Sequence, residues 1–185
     1  MLVGCLPLLA TSVSAQSVLY DNGPDAQIGY SWVNFGAETT DSFFLPQDAV
    51  VTNFMLTIYA VDDRNVPKYL RWAITSEPFG GTVLGSGFVG LSRLGDPHLT
   101  KFLFFGYKVG FQVPGLDLPT GVYYIQIQDV VTQWDTQAFW AESAGPSNGY
   151  YSQVGPSEDG RRTQPVQVLS ESFSVIGKWN EFSRR

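Results

Sequence analysis

In FMLTIYAV, residues 54–61, Phe54, Leu56, Ile58 and Ala60 fall on one side of an extended chain, and Thr57 and Tyr59 on the other. A period of two is the signature of a strand with one face buried, whereas a helix would repeat its apolar positions every three to four residues. The same phase recurs outward from this stretch. KYLRWAITS, residues 68–76, sets Leu70, Trp72 and Ile74 against Tyr69, Arg71 and Thr75, and GVYYIQIQD, residues 121–129, sets Tyr123, Ile125 and Ile127 against Tyr124, Gln126 and Gln128. LTKFLFFGYKVGFQV, residues 99–113, aligns Leu103, Phe105, Tyr107, Val109, Phe111 and Val113, while Gly106 and Gly110 on its other face predict bends and a division into two strands. Further strands are expected at 39–45, 83–91, 137–142 and 166–176. Eight or nine strands joined by Gly, Pro, Asn and Asp turns, with no helical periodicity between them, predict an all-β fold: an antiparallel β-sandwich of jelly-roll type. A closed barrel would share the alternation. The stretch 143–165 reads as one long polar loop.

Residues 1–15, MLVGCLPLLATSVSA, carry no charge and run from apolar to small residues, with Val13 and Ala15 suited to cleavage before Gln16. This is the pattern of an export signal that lacks its basic start. A rival within export is a lipoprotein box, Leu2 to Cys5, placing a lipid on Cys5. The expectation is a signal at 1–15 and a single β-sandwich domain at 16–185, secreted or periplasmic, with no cysteine in the mature chain. About 170 residues suffice for one core without disulfides. The net charge of -6 argues against nucleic acid and anionic lipid as partners. No later segment is long and apolar enough to predict a membrane helix.

Several motifs resolve into turn and strand grammar. Gly85, Gly87 and Gly90 spell GxGxxG, but the following LSRLGDP cannot form the helix that a dinucleotide site requires, so a glycine-rich strand is expected. His98 is the only histidine and lies in the turn GDPHLT. A Ser-His-Asp triad or a mononuclear zinc site would rest on it alone. The acidic turns 21–25, DNGPD, and 62–65, DDRN, leave a structural calcium open but match no full calcium loop, and no other cofactor is expected. Glu142 and Glu171 are the best candidates for a glycosidase carboxylate pair, because both fall in expected strands beside aromatic residues.

The most site-like stretch is QWDTQAFWAESAGPSNGYY, residues 133–151, which gathers Trp134, Phe139, Trp140, Tyr150 and Tyr151 around Asp135, Glu142 and Asn148. Aromatic faces stack on sugar rings while carboxylates and amides bond the hydroxyls. Candidate ligand-binding residues are therefore Trp134, Trp140, Glu142, Asn148, Tyr150 and Tyr151. Alternation puts Trp140 with Ala138 and Glu142 and Phe139 opposite, so at least one large ring must face the core.

LYDNGP at 19–24, WAITSEPFGGTVLGSG at 72–87, FQVPGLDLPTGVYYIQIQDVV at 111–131, FWAESAGPS at 139–147 and SESFSVIG at 170–177 together resemble secreted bacterial β-sandwich proteins that often bear a PEP-CTERM sorting tail. The resemblance implies export and the sandwich fold, and carries no activity with it. Relatives often show an acidic WDEN-like motif where this chain has Trp140, Ala141, Glu142 and Ser143. The final WNEFSRR has no Pro-Glu-Pro element, so a released protein is expected. The function expected from these readings is a non-catalytic binding module for carbohydrate or exopolymer. Alternatives are a structural or matrix protein acting through protein contacts, and a glycan-active enzyme using a carboxylate pair.

Overall fold

The computed structural model describes residues 16–153 and 164–180, so the expected signal at 1–15 and the Arg161–Arg162 doublet lie outside the described residues. Two antiparallel sheets pack face to face, and every strand pairing among the described residues is antiparallel. The first sheet holds β1 (Ser17–Asp21), β2 (Tyr30–Trp32), β4 (Ala49–Ala60), β7 (Ser92–Arg93), β8 (His98–Leu99), β9 (Phe105–Leu118), β11 (Ala138–Ala141) and β14 (Phe173–Trp179). The second runs in the order β13 (Val166–Val168), β12 (Gly149–Gln153), β3 (Ala37–Leu45), β10 (Gly121–Thr132), β5 (Pro67–Glu77), β6 (Gly80–Gly90).

β4 organises the first sheet because it is long enough to take three partners. β9 covers one of its edges from Ala49 to Ala60, while β14 and then β11 share the other. β11 in turn carries the three-residue β2, whose far side pairs with no strand among the described residues. The alternating faces read from sequence meet between the sheets: Phe54, Leu56, Ile58 and Ala60 from β4, Leu70, Trp72 and Ile74 from β5, Tyr123, Ile125 and Ile127 from β10, and Tyr107, Val109, Phe111 and Val113 from β9 form one buried core. Non-directional removal of these apolar faces from water is what holds the two layers together.

Fourteen strand segments replace the eight or nine expected, for identifiable local reasons. Residues 166–176 do not form one strand: the chain leaves the second sheet after β13, and Ser170 to Ser172 cross to the first before β14 begins. Leu103 is not on the core face of β9; it sits exposed at φ 63° in the turn before that strand. The polar stretch 143–165 is not all loop, because β12 pairs there with β3. The glycine-rich stretch 85–90 lies in β6, where the ring of Trp72 covers it. A Cβ on Gly87 would lie 3.1 Å from Trp72 Nε1, and one on Gly85 2.9 Å from a Leu116 methyl. Those glycines serve close packing of a tryptophan, not a phosphate.

Candidate functional site

The expected platform residues do not form one surface. Trp140 is 0% exposed in the inter-sheet core, with its indole N–H donating to Ser172 O at 2.9 Å, so it is not a ligand platform. Its position follows from pairing opposite Ser31 and Ile58 on the inner face of β11. Trp134 is 47% exposed in the turn between β10 and β11, but Arg64 lies 5.5 Å from its ring centroid and covers one face. The DDRN turn builds that corner: Asn65 Oδ1 accepts from Trp134 N–H at 3.0 Å, and Asp62 Oδ1 accepts from Arg64 N–H at 2.9 Å. Asn148 is exposed beside Gln167, and Tyr150 alternates with Tyr151 to face away from it.

Tyr151 and Glu142 do meet in a groove of about 480 Å³ along β2, lined also by Tyr30, Ser31, Trp32, Phe104, Gln137, Phe139 and Val168. This lies within the ~300–1,000 Å³ range of small-ligand sites. The two sheets touch here, since Thr39 Oγ1 of β3 donates to Trp32 O of β2 at 2.9 Å. On the outer side, the alternation of β2 and β11 sets Trp32 opposite Phe139 and Tyr30 opposite Ala141. Trp32 and Phe139 stack at 5.9 Å and 14°, Phe104 and Phe139 at 4.9 Å and 26°, and Tyr30 meets Phe139 edge-on at 4.8 Å. These rings fix one another, and Tyr30 keeps 39% of its surface open. A larger hollow of about 520 Å³ near Gln16 and Val89 has no titratable side chain in its lining.

Glu142 and Glu171 face each other across an isolated antiparallel bridge. Ser172 N–H donates to Ala141 O and Ser143 N–H to Ser170 O, both at 2.7 Å, so the bonds flank the pair and make it the kind whose side chains lie closest. Two carboxyls so placed repel when both are charged. Glu171 is 0% exposed, and neither carboxyl oxygen has a hydrogen-bond partner in geometry; burial holds it well above the usual carboxylate range, Asp41 and Glu142 push the same way, and the Ser31 hydroxyl offsets them only in part. Glu142 is 8% exposed, is raised by burial, and has no hydrogen-bond or ion-pair partner for its carboxylate among the described residues. Its room comes from Gly29, where a Cβ would lie 2.0 Å from Glu142 Oε2. The pair is thus brought together, but with Glu171 sealed a substrate can touch only Glu142.

Behind this pair lies a buried polar plug that the sequence reading missed. Asp41 Oδ2 accepts from Glu171 N–H at 2.5 Å and Asn22 Nδ2 at 3.2 Å, and its Oδ1 accepts from Ser42 N–H at 2.6 Å. Burial nevertheless pushes Asp41 up to about 7 against those donors. Asn22 Nδ2 also reaches Ser170 Oγ at 2.7 Å and Glu171 O at 2.6 Å, tying both sheets together. Of the acidic turn 21–25, Asp21 accepts from Gly23 N–H and the Ser174 hydroxyl, and Asp25 from Gln27 N–H and the Tyr59 hydroxyl. Asp25 Oδ2 also lies 3.2 Å from His98 Nε2, so the lone histidine is held on β8 by a carboxylate. Among the described residues no group of three or more His, Cys, Asp and Glu side chains is placed to hold a metal ion.

No family model matches this chain, and no curated protein matches it significantly.

Proposed function

We propose that the protein is an extracellular or periplasmic carbohydrate-binding module whose site is the groove along β2. One observation carries this reading: Glu142, whose carboxylate has no partner among the described residues, shares a groove with the rings of Tyr30, Trp32, Phe104, Phe139 and Tyr151. Sugars present alternating C–H faces and hydroxyls, and this lining offers aromatic surface for the first and the Glu142 and Gln137 side chains for the second. The test is retention on a panel of insoluble polysaccharides followed by titration with oligosaccharides. Tyr30→Ala should weaken binding by about tenfold or more, as expected for loss of one stacking ring. Unchanged affinity in that variant, or no retention on any polysaccharide, would remove the reading.

A second reading, self-association through strand addition, is favoured by β6. It forms one end of the second sheet and holds eleven residues with no charge and no proline, with Val83, Leu84 and Phe88 exposed. Such an edge is an open template for another strand. Light scattering distinguishes the two readings: a sugar binder stays at the mass of one chain until ligand is added, whereas an edge-paired assembly is at least twice that mass beforehand.

A further inference from the structure

We propose that the sugar bound in the β2 groove carries a positive charge, as a glucosamine unit with a free ammonium does, in preference to a neutral or a uronic one. The inference rests on the carbohydrate reading above and names the substrate class of that same site.

Three features of the groove point the same way. Among the described residues its lining contains one charged side chain, Glu142, and no Lys, Arg or His. That carboxylate is nine-tenths buried yet has no donor or cation beside it among the described residues. A buried anion left without a counter-ion is costly, and a bound ammonium would supply both the charge and the hydrogen bonds. Second, Glu171 lies directly across the bridge from Glu142 and Asp41 accepts from Glu171 N–H, so among the described residues no basic group stands behind Glu142 to offset its charge. A uronic carboxylate would meet like charge there. Third, the partly exposed rings of Tyr30 and Trp32, backed by the buried Phe139, offer electron-rich surface that attracts an organic cation while still stacking on a sugar ring. An N-acetyl group would replace the ammonium by a neutral amide and forfeit the first and third of these terms.

The experiment is calorimetric titration of the full chain at 0.15 M salt with glucosamine tetramer, N-acetylglucosamine tetramer, cellotetraose and a galacturonic acid tetramer. The expected order is glucosamine tetramer tightest, by about tenfold or more over its N-acetylated form, in line with a charge-assisted hydrogen bond. Glu142→Gln should erase that difference, bringing the glucosamine tetramer to the affinity of its N-acetylated form in the same variant. Asp96→Asn removes an exposed carboxylate elsewhere and should leave the difference intact, which separates the groove from general attraction of a polycation to an acidic protein. Equal affinity for all four tetramers, or a preference that survives Glu142→Gln, overturns the inference while the sugar reading stands. Binding to none of them removes both.

Discussion

Trp140 and Gly29 show at single-residue scale how the same short segment serves both core and groove. Trp140 fills the interior and donates to Ser172 O, so Trp140→Phe removes ring volume and leaves that carbonyl only the longer bond from Thr57 N–H at 3.4 Å. The expected cost is about 2–4 kcal/mol, read as a lower midpoint in denaturant with an unchanged slope and with sugar affinity unaltered. Gly29→Ala acts in the opposite sense. Its Cβ would displace the flexible end of Glu142, not the backbone, so stability should change little while affinity for the groove's ligand falls. Thermal melts and titration of the same sample check both halves. Glu142 itself was legible in sequence as a candidate, since an acid beside aromatics draws attention by its chemistry. Its partner role was not, because nothing in the residue types says that Glu142 and Glu171, far apart along the chain, face each other.

At the level of strands, β6 exposes its vulnerability through hydrogen-bond phase. Leu91 N–H donates to Lys68 O at 2.8 Å, which makes alternate pairs along β5 and β6 the bonded ones and turns the N–H groups of Ser86 and Phe88 away from β5. Ser86→Pro therefore removes an outward donor without breaking a bond to β5. Where light scattering finds an assembly, this variant should be monomeric with a thermal midpoint close to that of the parent. An assembly that persists in Ser86→Pro would place the contact elsewhere. The alternation in β4, β5 and β10 was readable because one face of each meets the core. β2 and β12 escaped that reading for a physical reason: strands of three and five residues next to turns hold too few positions to display a period. Those two short strands are the ones that bound the groove.

For the whole molecule, the buried acids set the pH dependence. Burial raises Asp41 to about 7 and Glu171 well above the carboxylate range, so the folded chain retains protons that the unfolded chain releases near pH 4. Both groups thus contribute most below about pH 4; the contribution of Asp41 is lost as pH rises through about 7, and that of Glu171 is lost above the usual carboxylate range. The groups that face them are Glu142, Ser31, Asn22 and each other. Thermal midpoints should fall from pH 5 to pH 8.5. Glu171→Gln, which keeps the neutral shape, should flatten that fall and raise the midpoint at pH 8; a variant as steep as the parent would contradict the assignment. Asp41 was missed in the sequence, although a charge on the phase of Phe43 and Leu45 is a conflict of pattern that marks a buried polar site. By itself the sequence determined the class of fold, because hydrophobic burial is written locally in a period of two that any stretch of chain displays. Only the tertiary structure decided which aromatics face water, which carboxylates meet and where the groove lies. Those depend on register and on which sheet a short strand joins, both set by long-range pairing that no local pattern encodes.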